Sequence, residues 1–297
     1  MSVTLVEPHI RSCDGGCKRE ALISRLRIFS RVGPKIVLAG GVFATFLVIC
    51  GIGRLLSGSP QVRRRFSLRL TSAFSKFALR ILGIQVALKP SPPHATRTTI
   101  NVPVGRLIFS NHLSYLDILA IASTEPALFV TSTELEQSFL LGDLAKAGGA
   151  LFIERRNRSR LIRDIAAIEE ALAQGFSVVV FPEGTTSNGE GLLPFKNSLT
   201  AAATRGAREI LPLCLRYTHV NDQPISHGTR DKLHWYGEMK FFPHLLELLT
   251  LRSARIEVSR LQPLSVRLDS CRKELTRSCR DLIEQAYLGD RPSFRRK

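Results

Sequence analysis

Six short apolar runs, at residues 106–110, 127–131, 150–153, 177–181, 210–217 and 255–259, constrain the fold of this chain more than any other feature of its sequence. They are too short for helices and are rich in β-branched and aromatic residues, so they read as strands. A run such as Val178, Val179 and Val180, apolar on both alternations, belongs in the middle of a sheet that is covered on both faces. The segments between the runs carry helical periodicity. Leu161, Ile165, Ile168 and Leu172 share one face that stops at Gly175, a fitting C-terminal cap, and residues 197–205 read as a further helix ended by Gly206. Strands separated by helices predict an α/β layer fold, with a central, mostly parallel sheet flanked by helices. With 297 residues, 44% of them hydrophobic, the chain has enough apolar material for such a core.

The N-terminal part has a different character. Residues 1–35 are polar and basic, and residues 36–53 then run without a charge, which just meets the length needed to span a bilayer. A buried helix or a signal sequence has a similar composition, but the basic lead is long and no clear A-x-A cleavage site follows. Lys35 precedes the run and Arg54 follows it, so a shallow re-entrant segment with both ends cytoplasmic satisfies the charges at its two flanks. Over residues 62–84, Phe66, Leu70, Phe74, Phe77 and Ile81 recur at helical spacing beside a basic stripe of Arg65, Arg69, Lys76 and Arg80. Such a helix either lies among lipid headgroups or packs on the domain that follows.

Pro90, Pro92 and Pro93 mark the next boundary. The expected organisation is therefore a basic, hydrophobic and amphipathic helical membrane-binding region at 1–90, an α/β domain at 91–265, and a basic helix with a loose tail at 266–297. The corresponding location is the inner membrane, with the α/β domain on its cytoplasmic face.

Lys and Arg outnumber Asp and Glu by 42 to 25, a formal charge of +17, which predicts an anionic partner. No zinc-finger spacing or RNA-binding aromatic motif is present, so nucleic acid is disfavoured and an anionic membrane surface or a phosphorylated substrate favoured. The six cysteines form no C-x-x-C pair and the seven histidines no H-E-x-x-H cluster. Free thiols in a reducing compartment and the absence of a metal site are the expectations.

Two stretches carry candidate chemistry. In the first, Asn111, His112 and Asp117 lie where a strand ends and a periodic segment begins, a place where reactive side chains are rigidly held yet open to ligand. Histidine suits proton abstraction near neutral pH, and a carboxylate beside it fixes its tautomer and stabilises the imidazolium. Residues five apart on one helix lie about 140° apart in azimuth, so His112 must precede the helix and Asp117 must open it. Ser114-x-x-Asp117 is also a capping box, in which Asp117 only ties down the helix start. In the second stretch, Phe181, Pro182, Glu183, Gly184, Thr185 and Thr186 follow the apolar run at 178–180. Gly184 permits close backbone approach, and Glu183, directly after a buried strand, needs a partner or a purpose. An ordinary turn with a solvated Glu183 is the plainer alternative.

With both stretches in view, the sequence resembles the glycerolipid acyltransferases of the lysophosphatidate acyltransferase type. Their N-H-x-x-x-x-D motif is matched by Asn111, His112 and Asp117, and their glycine-phenylalanine-arginine motif by Gly149, Phe152 and Arg155. Their F-P-E-G-T motif is matched by residues 181–185, and their apolar strand with a proline by Ile210, Leu211 and Pro212. The matches cover about residues 100–220.

The resemblance implies an enzyme without cofactor or metal that moves an acyl chain from acyl-CoA or acyl carrier protein to the free hydroxyl of a lysolipid. His112 and Asp117 would be catalytic. Asn111, Gly149, Phe152, Arg155, Glu183, Gly184, Thr185, Thr186 and Pro212 would line the substrate site. Arg155 is also readable as one surface cation in the run Arg155, Arg156, Arg158 and Arg160. Many relatives that use lysophosphatidate have arginine after the Gly-Thr pair, where this chain has Thr186, and that removes a bidentate phosphate ligand. The wording resembles relatives acting on other lysolipids, ornithine lipids among them.

Overall fold

The structure, a computed structural model, describes residues 14–56, 58–89, 105–154, 158–206, 209–267 and 269–289. Two helices lead, α1 (Asp14–Leu56) and α2 (Pro60–Leu82), followed by β1 (Ile84–Lys89), β2 (Leu107–Ser110), α3 (Leu116–Thr124) and β3 (Leu128–Ser132). Next come α4 (Thr133–Glu136), α5 (Leu141–Ala147), β4 (Leu151–Ile153), α6 (Arg158–Ala173), β5 (Val178–Val180) and α7 (Ala201–Gly206). The chain continues with β6 (Glu209–Val220), β7 (Gln223–Pro224), α8 (His227–Arg230), α9 (Phe241–Thr250), β8 (Ala254–Arg260), β9 (Leu264–Ser265) and α10 (Arg272–Leu288).

The main strand path is β1-β8-β6-β2-β5-β3-β4. From β6 through β4 neighbours run parallel, whereas β8 pairs antiparallel to β6 and parallel to β1. The α/β reading is correct: all six apolar runs are strands, and the sheet is mostly parallel and flanked by helices. Leu107, Ile108, Phe109 and Val178 to Val180 are fully buried at its centre. Each such side chain contributes roughly 1.5–3 kcal/mol of burial energy.

Some features depart from the sequence reading. Residues 84–89 form a strand that was not anticipated: Gly83 adopts a left-handed conformation, ends α2, and lets β1 pair with β8 some 170 positions later, Ile84 against Ala254. The helix expected at 197–205 starts only at Ala201. In α2 the residues facing the core are Leu68, Ser72, Ser75, Leu79 and Leu82, not the phenylalanine face. Small serines on that face allow a close approach, and α2 packs against both α1 and α3. Leu70 and Phe74 turn instead to α1, where Phe46 meets Phe74 at 5.2 Å between ring centroids, while Phe77 points outward.

The apolar part of α1, Val32–Leu56, is 25 residues long and contains an 18-residue stretch with a mean hydropathy of 2.4. It is fastened at both ends. Lys35 Nζ donates to the carbonyls of Leu82 and Leu251, at the ends of α2 and α9, and Arg54 donates to that of Lys146 in α5.

Candidate active site

The parallel strands deliver the chain to one edge of the sheet. β2 ends at Ser110, and residues 111–115 turn without regular structure before α3 opens at Leu116. Asn111 fixes the height of this turn, because its amide donates to the carbonyl of Leu215 at 3.0 Å and accepts from the Leu215 N–H at 2.8 Å. Both polar groups of Asn111 thus engage β6, and the residue clamps two strands together.

Asp117, the second residue of α3, is fully buried. Its Oδ2 lies 2.8 Å from His112 Nδ1 and also accepts the N–H groups of Leu113 at 2.6 Å and Ser114 at 2.9 Å. Its Oδ1 accepts from the Tyr217 hydroxyl at 2.6 Å. The Ser114 N–H is thus tied back by the carboxylate that also fixes the imidazole, but the reciprocal half of a capping box is missing, since the Asp117 N–H donates to the Ser114 carbonyl and not to its hydroxyl.

A buried carboxylate accepting at Nδ1 leaves Nε2 as the ring nitrogen free to act on a ligand. The His112 side chain is 17% exposed, and its ring stacks on Phe181 at 3.9 Å and 11°. It is thus fixed on two sides while still open to solvent.

Phe181 belongs to the second stretch, which arrives where β5 ends. Gly184 has φ +77, a left-handed conformation suited to glycine, and reverses the chain there. Glu183 is only 3% exposed. One oxygen accepts the His112 N–H and the other the Leu193 N–H, each at 2.8 Å, so this carboxylate ties the histidine turn to two points of the β5–α7 loop. Burial pushes it up to about 7; the two N–H donors oppose that shift and the nearby Asp117 charge adds to it. The turn is further held by N–H groups of Ser187 and Trp235, which donate to the carbonyls of His112 and Leu113.

The other motif residues are spread more widely. Thr185 is exposed and Thr186 half-buried, one and two positions beyond Gly184. Pro212 is buried within β6 opposite Phe109, beneath the turn rather than on its surface. Gly149 lies in the turn two residues before β4 and Phe152 within it, and β4 is three strand positions from β2, a separation of roughly 14 Å at the usual strand spacing. Arg155 lies outside the described residues. Sequence reasoning missed Tyr217, although a tyrosine in the apolar run of β6 carries a hydroxyl that must find a partner when buried.

An imidazole steadied by a buried carboxylate, at the carboxyl edge of a parallel sheet, is an arrangement suited to proton transfer. A family model described as Acyltransferase matches residues 96–216. The chain is 28% identical over 269 residues to the lyso-ornithine lipid O-acyltransferase of Brucella abortus, covering 84% of this chain and 97% of that protein. It is 35% identical over 195 residues to the 1-acyl-sn-glycerol-3-phosphate acyltransferase of Neisseria gonorrhoeae, covering 65% and 71%. The crystal structure of the 1-acyl-sn-glycerophosphate acyltransferase PlsC from Thermotoga maritima has the same fold, with a TM-score of 0.63, 18% identity, and coverage of 91% of this chain and 99% of that one. The chain belongs to the acyltransferase family and is an acyltransferase enzyme.

Proposed function

We propose that this enzyme acylates the free hydroxyl of a lysolipid in membrane lipid synthesis, with His112 as general base and acyl-CoA or acyl carrier protein as donor. The observation that carries the reading is the 2.8 Å contact between His112 Nδ1 and the buried Asp117. In the proposed step, Nε2 takes the proton of the acceptor hydroxyl while that oxygen bonds to the thioester carbonyl carbon. The tetrahedral intermediate then expels the thiolate, the C–S bond breaks, and the imidazolium returns the proton to sulfur. Asp117 steadies the imidazolium and Phe181 keeps its plane. No protein nucleophile is required, because the acceptor attacks directly and a thiolate leaves readily.

For the acceptor, we favour a lysolipid with a zwitterionic head, of the lyso-ornithine class, over lysophosphatidate. Thr186 offers no guanidinium to a phosphate, and a relative matched over nearly its whole length is named for lyso-ornithine lipid. A charged hydrogen bond is worth about 1.5–3 kcal/mol, so kcat/KM for lyso-ornithine lipid should exceed that for lysophosphatidate by about tenfold or more. Thiol release from the donor, measured with each lysolipid and with none, checks this. A preference for lysophosphatidate sinks the assignment, and equal release without any lysolipid indicates a thioesterase.

The proposed site of action is the cytoplasmic face of the inner membrane. The apolar stretch of α1 is held against the α/β domain at both ends, which favours a helix lying in one leaflet over one crossing the bilayer. Its outward side chains include Val37, Leu55 and Leu56, at 74%, 87% and 81% exposure. On α2, Arg69, Lys76 and Arg80 line an open cavity of about 350 Å³ with Phe77, a combination suited to anionic headgroups. Replacing Val37 and Leu55 together by aspartate should weaken co-sedimentation with anionic vesicles by about a hundredfold, given roughly 1.5–3 kcal/mol for each buried side chain. Unchanged partitioning of that variant counts against the leaflet placement.

A further inference from the structure

Tyr217 reaches Asp117 from the strand opposite the histidine turn. β6 lies beside β2 in parallel register, Ser110 opposite Leu213, and the Asn111 clamp on Leu215 locks that height. Side chains two apart on a strand share a face, so locking Leu215 also determines where the Tyr217 side chain emerges. The Tyr217 side chain is buried, its ring stands edge-on to His234 at 5.2 Å, and its hydroxyl donates to Asp117 Oδ1.

Three donors crowd the other carboxylate oxygen, His112 Nδ1 and the N–H groups of Leu113 and Ser114. Nothing in that set fixes rotation of the carboxylate about its own axis as firmly as a bond at Oδ1. A charged oxygen that is buried without a donor is also costly, and the group responds by turning or by taking a proton.

We propose that Tyr217 is a positioning residue for acyl transfer: by holding Oδ1 it presents Oδ2 to His112 and keeps the carboxylate charged but partly neutralised. The inference rests on His112 being the base. Tyr217 touches no reacting atom; its hydroxyl also meets the Ser114 side chain, and its effect on the base runs through Asp117. Removing its hydroxyl leaves more of the negative charge facing the imidazolium, which makes the base harder to deprotonate. The ionisable groups around the pair are His112, Glu183, Tyr115 and His234. Glu183, raised to about 7, feels the Asp117 charge as well, so wild type and variant are also compared on a Glu183→Gln background, which removes its titration.

The test is Tyr217→Phe in the full-length, membrane-bound enzyme, which keeps the ring and its packing on His234. We expect kcat to fall about tenfold, KM for donor and lysolipid to stay within about twofold, and the acid limb of the kcat/KM profile to move to higher pH. A second measurement places 3-fluorotyrosine at position 217, a stronger hydrogen-bond donor, and should move the same limb to lower pH. The inference is overturned if kcat and the acid limb of Tyr217→Phe match wild type, or if only its thermal midpoint changes. It is likewise overturned if the fluorinated enzyme shows no displacement. His112→Ala separates the layers: an inactive His112→Ala with a normal Tyr217→Phe defeats this inference alone, whereas an active His112→Ala defeats the assignment of the base beneath it.

Discussion

His112→Ala is expected to lower kcat by about a thousandfold or more while the protein remains folded. A positioned general base contributes about 10²–10⁴ in rate, and among the described residues no other imidazole shares the Asp117 carboxylate. The fold should tolerate the change for a local reason. Asp117 keeps three of its donors, the N–H groups of Leu113 and Ser114 and the Tyr217 hydroxyl, so no buried charge is orphaned. The hydrogen bond from residue 112 to Glu183 uses the backbone N–H and is indifferent to the side chain. What is lost is a ring already partly in solvent and its stacking on Phe181. Thiol release in the presence of lysolipid, together with the thermal midpoint, checks both halves. Turnover within about tenfold of wild type would remove the basis of the proposed mechanism.

The framework was legible because the parallel strands of this sheet are buried on both faces. Val178 to Val180 must be apolar throughout, and a run of that kind announces itself without knowledge of its neighbours. β1 did not, since Ile84 to Lys89 alternate as an ordinary half-exposed segment and become a strand only by pairing with β8. The burial of α2 through Ser72 and Ser75 was similarly hidden, because a small polar residue has no apolar signature and is valuable there for its size.

At the site, spacing and residue chemistry allowed His112 and Asp117 to meet, whereas their assignment to catalysis came from the resemblance carried by the four motifs together. Tyr217 was not legible, as a contact spanning 100 positions leaves no local trace. Glu183 lies between these cases. Its place after a buried strand demanded a partner, but the partners are the N–H groups of His112 and Leu193, which any residue at those positions would supply.

Those two partners make Glu183 the second residue whose loss should be severe. In Glu183→Ala two N–H groups at the heart of the site lose their acceptor, at about 1–3 kcal/mol each, and the histidine turn is released from the Pro-Glu-Gly-Thr loop. Stability should drop by roughly 2–6 kcal/mol and activity with it. Glu183→Gln separates charge from shape. In the folded protein the acid titrates at about 7, against 4.5 for the same group in an unfolded chain. Between those two values the native state holds a proton that the unfolded state has released, so the contribution of this group to stability decreases as pH rises from about 4.5 to 7 and is level outside that window. The difference, 7 against 4.5, corresponds to a change on the order of 3 kcal/mol. Glutamine does not titrate, and unfolding free energies of wild type and Glu183→Gln should therefore diverge across the window, the wild type losing ground as pH rises. Chemical denaturation at pH 5 and pH 8 measures it directly. Parallel behaviour of the two proteins would mean that Glu183 stays charged throughout, held by its donors against the cost of burial.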